Sequence, residues 1–266
     1  MTKKKKLYIF NPYPSIGGVD TTIIRLIKNI NLKKYDVEYF SLKRVNYIRN
    51  KKIKLTILNS NSTLLSFFKI IEIIQKDKCQ NKIFFSLQYF VNVWSILFIK
   101  LHLNVKTILL EVNDIVELNH SKNLIEFFKK KILKILVIIL YRYADLVIGN
   151  SKELSSNLEN CINKKVKTIY NPSFQKIKVR KKNYKRSKTL NILNISRFEY
   201  QKDHITLLKA IKILNIKKKI KLFLVGYGSK LNEIKEFLSK NKINAEIIIK
   251  PKNHLIYYNK AHLYVN

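Results

Sequence analysis

Cysteine is scarce in this chain, which holds only Cys79 and Cys161, far apart and in no C-x-x-C pair. That excludes a disulfide framework or a zinc ribbon and fits a reducing compartment. Histidine is scarce too, and its five copies form no H-E-x-x-H pattern, so no metal is expected. Long apolar runs are missing. Leu7-Tyr8-Ile9-Phe10 follows the basic Lys3 to Lys6 but halts at Asn11-Pro12, too short for a signal peptide. A second run, Ile135–Leu140, falls well short of the roughly 20 residues that span a bilayer. These absences predict a cytoplasmic protein. Negative charge is also in short supply: 17 Asp+Glu stand against 53 Lys+Arg, a formal charge of +36.

Such an excess points to nucleic acid or an anionic membrane surface. Here the charge is mostly lysine, spread along the whole chain in company with Ile and Asn, which reads as compositional drift with solvated helix faces. A nucleic-acid interface would need clustered Arg/Lys with aromatic stacking positions. Lys181-Lys182-Asn183-Tyr184-Lys185-Arg186 is the local candidate, and a solvated linker explains it more cheaply. No nucleic-acid partner is expected.

What the chain does have is length and apolar content. Its 266 residues, 47% hydrophobic and 11% aromatic, suffice for one large or two modest folded domains. Strand-length apolar runs alternate with helix-length amphipathic segments. Strands are predicted at Leu7–Asn11, Val37–Leu42, Leu55–Asn59, Ile83–Leu87, Thr107–Val112, Asp145–Gly149 and Lys167–Tyr170. Helices between them include Val19–Ile30, Leu64–Gln75 and Lys152–Asn160. The alternation, with few hairpin signals, predicts an α/β fold with parallel sheets covered by helices. The pattern lapses over the polar, basic stretch that ends at Lys188 and then restarts, with strands near Leu190–Ile195, Lys221–Val225, Glu246–Ile249 and His262–Val265. The expected organisation is an N-terminal Rossmann-like domain (residues 1–175), a basic linker (176–188) and a C-terminal Rossmann-like domain (189–266).

One loop and its echo carry the chemistry. Asn194-Ile195-Ser196-Arg197-Phe198-Glu199-Tyr200-Gln201-Lys202-Asp203-His204 runs from a strand into a helix. Asp203 sits where an N-cap belongs, and Leu207, Leu208, Ile211 and Leu214 recur at helical spacing. The strand Lys221–Val225 then leads into Gly226-Tyr227-Gly228-Ser229 and another helix. A strand, a polar turn and a helix N-terminus present backbone N–H groups and a helix dipole to an anion. Arg197 and Lys202 add two cations, the combination that holds a diphosphate. Gly17-Gly18, after the first strand, allow close backbone approach to a ligand, although a plain loop-to-helix turn also uses them. Ligands of open parallel sheets bind outside the carboxyl ends of the strands, so a cleft between the two domains is the expected site.

Ser-Arg-Phe-x-x-x-Lys-Asp-His before a helix, then strand-Gly-x-Gly, resembles the second domain of retaining glycosyltransferases of family four, also called group one. Gly17-Gly18-Val19, Tyr143 to Ser151 and Ile169-Tyr170-Asn171-Pro172 resemble further motifs of the family, in the same order. The resemblance implies the two-domain GT-B fold, a nucleotide-sugar donor (most often UDP-linked), retention of anomeric configuration and no metal or other cofactor. It implies a saccharide or lipid-linked acceptor, as in synthesis of envelope polysaccharide such as lipopolysaccharide. It assigns Arg197 and Lys202 to the donor diphosphate as the catalytic pair, and places Gly17, Gly18, Gly226 and Gly228 beside the donor. Cations at that place stabilise the charge that develops on the β-phosphate as the sugar leaves.

The chain departs from the family in two places. Many members carry a histidine where this chain has Glu111-Val112-Asn113-Asp114, so no histidine is carried over. Glu111 or Asp114 can serve the acceptor side, or simply cap the strand end. The family's Ser-x-x-Glu-Gly-x-Pro region follows the strand matched by His262–Val265, and the sequence stops at Asn266. A fragment or a truncated enzyme, with weak activity at best as it stands, is therefore expected, with a non-catalytic, partner-binding remnant as the alternative. Finally, Leu124–Tyr143 reads either as a helix covering the first sheet with lysines on its wet side, or as an interfacial helix with cationic edges that contacts an anionic membrane peripherally.

Overall fold

The computed structural model describes residues 4–14, 18–45, 48, 50–121, 123–171, 189–215, 219–249 and 255–266. The expected linker at 176–188 and Gly17 of the glycine pair lie outside the described residues. The chain divides into two compact units, Met1–Gln175 and Lys176–Asn266.

In the first unit the strands are β1 (Lys5–Phe10), β2 (Tyr35–Ser41), β3 (Ile53–Ile57), β4 (Lys82–Leu87), β5 (Lys106–Glu111), β6 (Leu146–Gly149) and β7 (Lys167–Thr168). They form one parallel sheet in the order β3-β2-β1-β4-β5-β6-β7. The expected strands are all present, with ends shifted by at most two residues. The helices are α1 (Gly18–Asn29), α2 (Thr63–Lys76), α3 (Tyr89–Ser95), α4 (Leu124–Leu140) and α5 (Lys152–Ile162). Both faces of the sheet are covered, so its strands read as nearly unbroken apolar runs. The pleat sends Leu7 and Ile9 of β1 to one side, against Ile23 and Ile27 of α1, and Tyr8 and Phe10 to the other, against Phe67 and Ile70 of α2. Each such fully buried large side chain contributes on the order of 1.5–3 kcal/mol.

Local signals set where the helices start. Ser62, Asn123 and Ser151 accept N–H bonds from Leu65, Glu126 and Leu154 and cap α2, α4 and α5. Asp145, expected inside a strand, instead lies just before β6. There it accepts the Thr107 N–H at 2.8 Å and pairs with Lys100 at 2.8 Å. One element carries no clear sequence signal: α3 runs straight into a π-helix over Ile96–Leu101. Residues 89–101 are apolar on nearly every side, so no 3.6-residue stripe stands out.

The second unit holds β8 (Leu190–Ile195), β9 (Ile220–Val225), β10 (Ala245–Ile248) and β11 (Leu263–Tyr264), with α6 (His204–Asn215), α7 (Leu231–Lys240) and α8 (Leu255–Lys260). Its sheet, in the order β10-β9-β8-β11, is again parallel. Leu208 and Ile211 of α6 and Ile234 and Leu238 of α7 pack on Ile192, Leu222 and Leu224. Leu214, expected on the buried stripe of α6, is exposed at the helix end. The architecture is α/β, two Rossmann-like units each built on a parallel sheet.

Candidate functional site

In each unit the strand order reverses at one place, between β1 and β4 in the first sheet and between β8 and β11 in the second. At such a reversal the loops leaving neighbouring strands diverge to opposite faces and open a crevice at the carboxyl ends. The loop that leaves β8, Ser196 to Asp203, lies at the second of these places. Arg197 and Lys202 are both exposed there. Among the described residues, neither side chain has a hydrogen bond or an ion pair. With 17 acidic residues set among 53 basic ones most cations must go unpaired, so it is the position of these two that distinguishes them.

The loop is held from beneath and from the side. Asn194 Nδ2 donates to the Val265 carbonyl at 3.0 Å, and Ser196 Oγ donates to Asn194 Oδ1 at 2.8 Å. Ser196 Oγ lies 2.9 Å from His204 Nε2 and, its own proton being committed, accepts the Nε2–H. His204 is buried, its ring edge-on to Phe198 at 5.0 Å, and its Nδ1 has no partner among the described residues. Burial pushes the His204 pKa below its ordinary 6.5, which keeps the ring neutral beneath the loop. From the side, Phe198 N–H donates to the Tyr227 carbonyl at 2.9 Å and Lys230 N–H to the Phe198 carbonyl at 2.9 Å. Glu199 accepts from the Ser229 N–H at 3.1 Å and from the Ser229 hydroxyl at 2.8 Å.

The glycines of the second turn are explained by this packing. A Cβ on Gly226 would lie 1.9 Å from the Ser196 carbonyl oxygen, and one on Gly228 would lie 2.3 Å from that of Phe198. The close approach they permit is therefore to the Arg197 loop, whatever else they admit. Asp203 does cap α6: its carboxylate accepts the Thr206 N–H at 3.3 Å from a left-handed backbone conformation, φ 37°. One N–H of the helix N-terminus is thus already occupied by a carboxylate. The depression beside α6 and α7 is lined by Glu199, Asp203, Glu233 and Lys230. Three carboxylates to one ammonium make it a poor seat for phosphate, and neither Arg197 nor Lys202 lines it.

In the first unit, Gly18 opens α1 beside the reversal. Glu111 ends β5 with its carboxyl wholly inside the unit. It accepts from Asn92 Nδ2 at 2.7 Å and from the Tyr141 hydroxyl, while its Oε2 has no partner among the described residues. Burial raises its pKa to about 8, against the lowering pull of those two bonds. Asp114 caps the short 3-10 helix Ile115–Asn119, accepting from the Val116 N–H at 2.9 Å and from Asn157 Nδ2 at 2.8 Å. Its strand-end role is thus visible, and Glu111 sits within the core behind it. Sequence reasoning passed over Gln88. This exposed residue follows β4 at the reversal with φ 73° and ψ 139°, a strained conformation for a side-chain-bearing residue. Its N–H bond to Leu110 O and its carbonyl bond from Asn92 N–H hold it there. Glu199 and the Asn194–Ser196–His204 chain were likewise missed, since no spacing rule flags a polar residue that braces a loop.

Among the described residues no group of three or more His, Cys, Asp or Glu is placed to hold a metal ion. No helix among them is long and apolar enough to cross a membrane.

No protein-family pattern matches the chain, and no curated protein matches it in sequence. Solved structures do match in shape. A lipopolysaccharide outer core galactosyltransferase, WaaB, in its apo form superposes with a TM-score of 0.68 at 14% identity, over 96% of this chain and 71% of that one. The Anabaena protein Alr3699/HepE, solved in complex with UDP, gives 0.74 at 13% identity, over 98% and 73%. The catalytic domain of Starch Synthase IV from Arabidopsis thaliana, bound to ADP and acarbose, gives 0.61 at 12%, over 99% and 78%. At such identities the likeness is one of fold: this chain has the GT-B fold, two Rossmann-like units with parallel sheets, shared with nucleotide-sugar glycosyltransferases.

Proposed function

We propose that this chain is a glycosyltransferase that takes a sugar from a nucleoside-diphosphate donor, UDP-linked by first choice. The acceptor is a saccharide or lipid-linked saccharide of the cell envelope, and transfer proceeds with retention. The observation that carries the reading is the braced loop after β8. It offers Arg197 and Lys202, exposed and unpaired among the described residues, at the carboxyl ends of a parallel sheet where the strand order reverses. In this reading the two cations and nearby N–H groups take the donor diphosphate, and they gain strength as charge develops on the β-phosphate. Phe198, Glu199 and His204 position the loop and do not touch the donor. Gly226 and Gly228 keep the backbone thin beside it. The family-four assignment rests on the Ser-Arg-Phe-x-x-x-Lys-Asp-His string, and the choice of UDP is supported by HepE, which was solved with UDP. No cofactor or metal is proposed.

Calorimetric titration with UDP tests the reading. Arg197→Ala and Lys202→Ala each weaken UDP binding by about tenfold or more, since charge-assisted contacts contribute roughly 1.5–3 kcal/mol each. Far-UV circular dichroism stays unchanged because both side chains are exposed. Unaltered UDP affinity in both variants would remove the diphosphate assignment.

A further inference from the structure

One face of α4 carries exposed apolar side chains. Val137 and Leu140 are buried against Tyr89, Leu109 and Val147, with Leu133 and Leu136 packed beside them, so the helix does cover the sheet. Its outer side is not the expected bed of lysines. Ile125, Phe128, Ile132, Ile135 and Ile139 recur there at three- and four-residue steps, and Tyr143 continues the line in the turn that follows. These six side chains are between 47% and 69% exposed. They make a straight apolar stripe about 25 Å long at 1.5 Å per residue, far more ordered than the scattered apolar residues of an ordinary surface.

The charges around the stripe are of one sign. At 3.6 residues per turn, Lys129 lies about 80° to one side of its centre, Lys131 about 80° to the other, and Arg142 flanks it on the Lys131 side. All three are exposed. Lys131 Nζ lies 5.7 Å from the centre of the Phe127 ring. The other lysines of the helix are engaged away from the stripe. Lys130 pairs with Glu126 at 2.8 Å and donates to the His120 carbonyl, and Lys134 donates to Asn119 Oδ1 at 2.9 Å. Glu126 is the helix's sole acidic residue. A second copy of the helix laid on this face would set lysine against lysine with no acid to answer, which disfavours self-pairing. A surface that accepts apolar side chains in its middle and cations at its edges is the headgroup boundary of an anionic bilayer. Helices of such a sheet begin at its carboxyl ends, and the first two turns of α2 and α3 add exposed Leu65, Phe68 and Phe90 at that same rim.

We propose that the outer face of α4 is a membrane-docking surface: the helix lies in the plane of an anionic bilayer, its Ile/Phe stripe sunk into the acyl boundary and Lys129, Lys131 and Arg142 on lipid phosphates. The proposal stands independently of the transferase reading.

Flotation of the full chain with vesicles tests it. The chain floats with phosphatidylcholine vesicles that contain phosphatidylglycerol and not with phosphatidylcholine alone. The charge-neutral pair Ile132→Ser with Ile135→Ser lowers binding by about tenfold or more, given the apolar groups withdrawn from the bilayer. Lys129→Glu with Lys131→Glu does the same. Lys51→Glu with Lys52→Glu, an equal charge change at an exposed turn before β3, lowers it by less than about threefold. An equal loss in the Lys51/Lys52 pair, unchanged binding in the serine pair, or no binding to the anionic vesicles would overturn the proposal. So would a wild-type dimer that the serine pair converts to monomer, which would make the occupant a second copy of this chain.

Discussion

Single residues divide sharply by whether a local rule governs them. Asp203 is a cap that sequence spacing identifies, because an N-cap answers to its own chain three residues on, and Ser151 and Asn123 obey the same rule. Glu111 obeys no such rule. Its position at a strand end was legible, but its burial was not, since the groups around it come from α3, β5 and the turn after α4. The consequence is measurable. With its pKa raised by burial to about 8, Glu111 is protonated in the fold and ionised in the unfolded chain across the interval from about 4.5 to about 8. The folded state therefore holds the extra proton, and the stability of the first unit falls as pH rises through that interval, by up to about 1.4 kcal/mol per pH unit. Trp94, the chain's sole tryptophan, lies in α3 of the same unit and reports on it. Urea unfolding followed by its fluorescence shows this decline in the wild type and a flatter profile in Glu111→Gln. Equal slopes in the two proteins would mean that the carboxyl stays ionised inside the unit.

At the level of elements, periodicity located nearly every strand and helix, with ends off by a few residues. It failed for α3 and its π-helical extension, where both faces are apolar, and for the outer side of α4. Repeating apolar residues say that a helix has a greasy stripe. They do not say which of two stripes meets the sheet. Similarly, the Gly226-Tyr227-Gly228 turn was legible as a turn, while the reason for its glycines lay in a partner loop some thirty residues earlier. Gly226→Ala and Gly228→Ala each press a methyl group into a backbone carbonyl that the sheet holds in place. Each is expected to destabilise the second unit by about 1–3 kcal/mol, the usual cost of overpacking, and to loosen the Arg197 loop. Chemical denaturation followed by circular dichroism gives the first effect and UDP titration the second. Wild-type stability in both variants would show that the two loops are not in contact.

For the molecule as a whole, the alternation of strand and helix was enough to give α/β units with parallel sheets, because parallel neighbours need a long crossover that is most often a helix. The charge was the part least open to interpretation from composition. Its 53 cations cannot all be neutralised by 17 acids, and the nine ion pairs found within 4 Å among the described residues centre on eight carboxylates. Self-repulsion should then weaken the compact state, most of all at low ionic strength. Thermal unfolding is expected to shift upwards as sodium chloride shortens the screening length from about 30 Å towards 8 Å. A melting temperature independent of salt would mean that the lysines are too far apart to sense one another.

The clasp between the two loops of the second unit has a bearing on engineering. Because Ser196 and Phe198 occupy the space that a side chain at 226 or 228 would need, and Glu199 grips Ser229, the stretches 194–204 and 225–230 behave as one interchangeable cassette. A chimaera that imports the Arg197 stretch from another protein without its glycine partner inherits a mismatch at the backbone, where no choice of rotamer can relieve it. The loop, if it is to be transplanted, travels with both halves or not at all.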